Sequence, residues 1–267
     1  MYLSFFNLKE APFNITPDPR FLFFTPNHKA AYDHIFYGIT ERKGFIELTG
    51  EVGSGKTTLC RAVLADLGPD TITALILNPS LTETQLLRAM LRDFGLERKG
   101  RDRLSLVETL NSFLLERNRE GRNVALFIDE AQDLTPQVME QVRLLSNLET
   151  DQQKLIQIVL CGQPELQQRL KRPDLRQLRQ RITVRYHLAP LTRPETGNYI
   201  RHRLRVAGGT SALEFSDRAV DRIQRHSKGT PRLVNALADN ALLAGYVAQK
   251  RLIDVDCVER AIKQLEG

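Results

Sequence analysis

A chain of 267 residues can bury one large core, or a core and a smaller companion, without disulfide staples. Its 3 cysteines, Cys60, Cys161 and Cys257, form no CxxC pair and its 5 histidines show no ligand spacing, which argues against a structural zinc site and fits a reducing cytoplasm. A net charge of +6 among 26% charged residues suits a polyanionic partner or simply a solvated surface, and we read neither a secretory leader in MYLSFFNLKEAPF nor an apolar run of the ~18 residues that span a bilayer.

In chain order, the first element is a helix with Thr25 as N-cap and Pro26 at its first position, whose Tyr32, Ile35, Phe36 and Ile39 share one face and dock it beside a sheet. The apolar run Phe45 to Thr49 reads as the first strand. It leads into GEVGSGKTT, residues 50 to 58, and then a helix with Leu59, Val63, Leu64 and Leu67 on one face. Further strands follow at Ile72 to Leu77, Val124 to Ile128, Leu155 to Cys161 and Thr183 to Leu188, with helices between them. LERKGRDRL, residues 96 to 104, reads as a solvated connection. After Leu188 the pattern is helical from about Arg193 to Leu265, broken at Gly208-Gly209 and Gly229-Thr230-Pro231, with no further strand expected. This alternation predicts an α/β domain with a parallel sheet covered on both faces, followed past a boundary near Leu191 by a small helical domain.

Chemistry concentrates at two places. Gly50, Gly55, Lys56 and Thr57 fit G-x-x-x-x-G-K-[ST] between a strand and a helix, the context in which backbone N–H groups and a helix N-terminus cradle phosphates. Glycines 50, 53 and 55 let the loop wrap, Lys56 reaches the outer phosphates and Thr57 ligates Mg²⁺. The plainer alternative is a glycine turn with a chance lysine. The strand VALFI ends in Asp129 and Glu130, a pair suited to one carboxylate on Mg²⁺ and one that orients an attacking water; the plainer alternative is a strand that ends in solvated acids.

GEVGSGKTT, FIDEAQ, LIQIVLCGQPEL and GTPRL together resemble an AAA+ ATPase. The lead APFNITPDPRFLFFTPNHKAAYDHIFYGITERKGF narrows the resemblance to the ExeA/GspA family of secretion ATPases, with its MshM-like members of pilus biogenesis. It covers essentially the whole chain. It implies a five-stranded P-loop sheet in the order 5-1-4-3-2 over residues 1–190, a helical lid over 191–267, and ATP with Mg²⁺ as ligands. Nucleotide binding would fall to Gly50, Glu51, Val52, Gly53, Ser54, Gly55, Lys56, Thr57 and Thr58, and metal binding to Thr57 and Asp129, with Glu130 catalytic. Gln163 would sense the γ-phosphate, although the family more often has Asn or Thr there; Arg232 would be the second sensor; Asn78 would restrain Glu130. In the basic run RLKRPDLRQLRQRITVR, Arg181 would project into a neighbouring subunit's site, with Arg179 as its substitute.

Three functions are compatible with these features. One is an oligomeric ATPase that assembles or positions a type II secretion or pilus system; another is a DNA-binding regulator resembling the TniB/TnsC ATPases of transposition; the third is a scaffold that binds nucleotide and scarcely hydrolyses it. Retention of Glu130 speaks against the scaffold. Secretion-type members continue into a membrane segment and a periplasmic peptidoglycan-binding part, so the resemblance implies that this is the cytoplasmic portion of a longer inner-membrane protein.

Overall fold

Five short apolar runs pair as one parallel sheet: β1 (Phe45–Gly50), β2 (Thr71–Ile76), β3 (Asn123–Ile128), β4 (Gln157–Gly162) and β5 (Ile182–Leu188). The source is a computed structural model, which describes all residues except 15–17, 78–79, 97–101, 211–212 and 267. The strand order is β2-β3-β4-β1-β5, which is the expected 5-1-4-3-2 read from the other edge. β1, β3 and β4 are buried along their whole length, as central strands covered on both faces must be, whereas β5 alternates between buried and exposed positions at the sheet edge. Strand ends shift by at most one residue from expectation, and the start of β4 by two: Leu155 and Ile156 are buried but lie before the ladder, the Leu155 N–H donating instead to the Leu148 carbonyl at 3.2 Å.

The chain divides into two compact units, one of residues Lys29–Gly50 and Leu59–Leu188, the other of Met1–His28, Glu51–Thr58 and Ala189–Gly267. In the first, strand alternation sorts side chains onto two cores. Ile46, Leu48, Ala125, Phe127, Val159 and Cys161 face α2 (Pro26–Thr40) and α3 (Lys56–Asp66), which bury Ile35, Ile39, Leu59 and Val63. The alternate residues, among them Ile76, Leu126, Ile128, Ile158 and Leu160, face α4 (Glu83–Asp93), α5 (Arg103–Arg119), α6 (Pro136–Leu145), α7 (Pro164–Leu170) and α8 (Arg176–Arg181). Thr82 caps α4 in a box with Gln85, and Thr135 caps α6, satisfying N–H groups that a helix start leaves unpaired. At the amino edge of the sheet two buried amides tie strands to their surroundings: Asn123 donates to the Ile39 carbonyl at 2.6 Å, and Gln157 accepts from the Gly44 N–H at 2.8 Å.

The second unit holds α1 (Tyr2–Phe5), α9 (Arg193–Val206), α10 (Asp217–Ser227), α11 (Pro231–Val247) and α12 (Val255–Glu266) around a core of Phe6, Phe13, Phe21, Ile200, Leu237 and Val258, among others. A capping box of Thr192 and Glu195 starts α9, and Ser216 caps α10. Contrary to the sequence reading, this unit contains two further strands, Glu214–Phe215 and Leu252–Ile253, paired in parallel. Two residues each are too few to show a period. The aromatic lead is bound by Arg203, which is 7% exposed and donates to the Pro12 carbonyl at 2.6 Å, the Asn14 carbonyl at 3.0 Å and the Tyr199 hydroxyl at 2.8 Å while its guanidinium lies over the Phe21 ring.

Candidate nucleotide site

The glycine-rich run leaves β1 at Gly50 and enters α3 at Lys56. Gly53 has φ +75°, a left-handed conformation, and its carbonyl accepts from the Arg232 N–H at 3.1 Å. A Cβ at residue 53 would lie 2.3 Å from the Arg232 Cβ, so only glycine permits the first turn of α11 to approach this closely. Thr25 Oγ accepts from the His28 N–H at 3.1 Å, which fulfils its expected N-cap role. His28 in turn lies under the loop, with Nδ1 2.7 Å from Thr25 Oγ and Nε2 3.4 Å from the Ser54 carbonyl. Burial pushes its pKa below the usual histidine range, so a neutral ring supports the loop from beneath. No sequence pattern pointed to His28, because a lone histidine on a helix carries no period or spacing.

The loop suits a phosphate chain by several measures. Lys56 is 6% exposed and its ammonium donates to the Glu51 carbonyl at 2.9 Å, folded back over the loop. Ser54 is buried with no hydrogen-bond partner for its Oγ, an orphan that a ligand oxygen would satisfy. Thr57 and Thr58 stand half-buried in the first turn of α3, while Glu51 and Val52 are exposed at the tip. The hydroxyl of Thr57 and the carboxylate of Asp129 are hard oxygen donors of the type Mg²⁺ takes. Among the described residues no cluster of three His, Cys, Asp or Glu could hold a metal unaided, whereas Mg²⁺ in nucleotide sites needs only one or two protein oxygens beside phosphate and water.

The acidic pair is held by the end of β3. The Asp129 N–H donates to the Ile76 carbonyl at 2.8 Å, extending the ladder, and its Oδ1 accepts from the Glu130 N–H at 2.9 Å. Asp129 is buried and Glu130 half-buried. Glu130 sits at φ 49°, ψ 40°, a left-handed conformation that costs a non-glycine residue roughly 1–2 kcal/mol and that here begins the short turn Ala131–Asp133. Its carboxylate Oε2 accepts from two side-chain amides, Gln132 Nε2 at 2.8 Å and Gln163 Nε2 at 3.1 Å. Gln163 precedes α7 directly after β4, so the residue expected to sense phosphate is brought to Glu130. Gln132, the last residue of FIDEAQ, carries no motif signal that would mark it in the sequence.

The basic run is largely spoken for within the chain. Arg169 donates to the Gln132 carbonyl and, at 2.5 Å, to the Leu134 carbonyl, while Arg172 pairs with Asp174. Arg185 pairs at 3.4 Å with the buried Glu47 and donates to the Arg179 carbonyl. Burial raises the Glu47 pKa, and the cations at Arg185, Arg179 and Lys171 oppose that rise. Arg181 donates to Ser146 Oγ and, at 2.6 Å, to Asn147 Oδ1 at the end of α6; Arg179 is exposed. Arg232 is also exposed, at the start of α11. Asn78 lies outside the described residues.

Comparison with known proteins agrees with this geometry. Residues 39–170 match the family described as AAA domain. Among solved structures, the Aeropyrum pernix ORC2 protein superimposes with TM-score 0.69 at 16% identity over 96% of this chain and 71% of its own. The Thermotoga maritima RuvB Holliday junction branch migration motor gives 0.60 at 22%, over 91% and 70%. Cdc6p from Pyrobaculum aerophilum gives 0.66 at 18%, over 98% and 70%. At such identities the likeness is one of fold. With the sheet order, the loop and the acidic pair, these matches define a P-loop ATPase of the AAA class. Over 100% of its length the chain is 47% identical to General secretion pathway protein A of Aeromonas hydrophila. The chain is thus similar to that secretion protein along its whole length, and it spans about half, 49%, of that relative's length.

Proposed function

We propose that the protein hydrolyses ATP in a Mg²⁺-dependent reaction and uses it to assemble or position a type II secretion or pilus system at the cell envelope, acting on the cytoplasmic side as an oligomer. The observation that carries the catalytic part is Glu130, a carboxylate fixed by two amides immediately after the buried Asp129 at the carboxyl end of β3. In the sheet only β4 separates β3 from β1, the strand that runs into the phosphate loop. Lys56 would bind the outer phosphates, with Thr57 and Asp129 holding the cation. When bound, Mg²⁺ would neutralise phosphate charge and orient the nucleotide. Glu130 would orient the attacking water and take its proton, Gln163 would report on the terminal phosphate, Arg232 would touch the phosphates from α11, and Asn78 would restrain Glu130. The tie to secretion rests on kinship with the Aeromonas protein. Among the described residues no helix is long and apolar enough to cross a membrane.

Two substitutions separate binding from chemistry. Lys56→Ala should weaken ATP binding, read by calorimetry, by at least about tenfold, because it removes the charged donor for the phosphates. Glu130→Gln should bind Mg-ATP as the wild type does and release phosphate about 10²-fold or more slowly. Wild-type turnover by the glutamine variant would refute the assigned base.

A further inference from the structure

We propose that Gln132 is a positioning residue for hydrolysis: together with Gln163 it clamps the Glu130 carboxylate through one oxygen, so that the other is presented to the attacking water. The inference rests on the reading of Glu130 as the base and assigns what aims it. Both amides donate to the same atom, Oε2, at 2.8 Å from Gln132 and 3.1 Å from Gln163. The two glutamines are also joined to each other, since Gln132 Oε1 accepts the Gln163 backbone N–H at 3.0 Å. Gln132 thus uses both ends of its amide, its oxygen on the start of α7 and its nitrogen on Glu130, and Nε2 lies a further 3.4 Å from Asp133 Oδ2.

The surroundings are shaped for this bridge. A Cβ at Gly162 would fall 2.8 Å from Gln132 Oε1 and 2.9 Å from Leu166, so the glycine that ends β4 makes room for the amide. This gives a physical meaning to the Cys161-Gly162-Gln163 sequence. Arg169, one α-helical turn or more along α7, grips the Gln132 and Leu134 carbonyls and fixes the backbone from which the bridge springs. Glu130 itself has a left-handed backbone, which sets its side chain at an angle that an ordinary strand end would not give. A lone carboxylate there would sample several rotamers; two donors on one oxygen leave few. Since the clamp acts on orientation, its loss should lower kcat and leave substrate binding alone.

Gln132→Met keeps most of the bulk and removes both hydrogen-bonding ends. The expected result is a kcat about tenfold lower, with KM and the ATP dissociation constant within about twofold of wild type. Placed in Glu130→Gln, the same substitution should add little further loss, because its effect passes through the carboxylate. A side chain that only supported the fold would reduce turnover in both backgrounds equally. If Gln132→Met does not fold, Gln132→Asn, one carbon too short to bridge both partners, takes its place with the same expectation. A folded variant with kcat within twofold of wild type, or an undiminished effect in the Glu130→Gln background, overturns the proposal. Failure of the underlying reading looks different: Glu130→Gln alone would then turn over normally.

Discussion

Gly53 shows how much one missing side chain can decide. A methyl group there would have to occupy space 2.3 Å from the Arg232 Cβ, on a backbone at φ +75°. Gly68 provides a matched control, because it has φ +71° and nothing within 4 Å of its would-be Cβ. Gly68→Ala should therefore show only the left-handed cost of about 1–2 kcal/mol. Gly53→Ala should lose more stability in parallel thermal melts and also weaken ATP binding, since either the loop or the start of α11 must shift. Equal melting shifts with unchanged nucleotide affinity would mean that the contact is incidental. At this scale the sequence was legible where a motif fixes both type and spacing, which places Lys56 and Thr57 at the start of α3 and Asp129 at the end of β3. It was silent on Gln132 and His28, whose roles come from neighbours distant in the chain: the Gln163 amide for one, the Ser54 carbonyl for the other.

Elements were readable in proportion to their burial. β1, β3 and β4 are covered on both faces; β3 and β4 stand out by their apolar runs VALFI and IVLC, β1 is apolar apart from Glu47 and Thr49, and β5 is recognisable by its alternation. The short pair Glu214–Phe215 and Leu252–Ile253 was invisible because it is held by contacts between segments far apart in sequence. The same is true of the lead, whose proline and aromatic content was plain but whose anchoring to α9 depends on the buried Arg203. Arg203→Met keeps an apolar side chain of similar length and removes the donors to the Pro12 and Asn14 carbonyls and to Tyr199. Hydrogen bonds from a charged group contribute about 1.5–3 kcal/mol, so we expect a loss of about 2–3 kcal/mol in unfolding free energy, read as a lower urea midpoint. The peptide bonds near residue 14 should also become faster protease targets. Unaltered stability and cleavage would show that the apolar contacts of Phe6, Phe13 and Phe21 suffice to hold the lead.

For the molecule as a whole, the central question is whether hydrolysis requires a second copy. Arg181 is held to Ser146 and Asn147 within its own chain, so use in a neighbour's site would require it to exchange those partners. We expect activity per subunit to rise with protein concentration, and Arg181→Ala to bind ATP normally while hydrolysing it slowly. Mixing Arg181→Ala with Lys56→Ala should partly restore turnover, because the second variant still carries the arginine that the first one's intact pocket lacks. No restoration between variants that fold and associate would shift attention to the exposed Arg179. Stimulation that requires duplex DNA and falls steeply with salt would favour the transposition-type alternative. The strand order carries one more consequence, for the birth of the protein. Phe45 in β1 has its partners at Ile158 in β4 and Ile182 in β5, each more than a hundred residues downstream, so the strand that feeds the phosphate loop leaves the ribosome early and waits for neighbours not yet made. Such long-range pairing is slow, and during the wait an apolar strand stays open to wrong partners, which makes translation the most aggregation-prone interval of the chain's life.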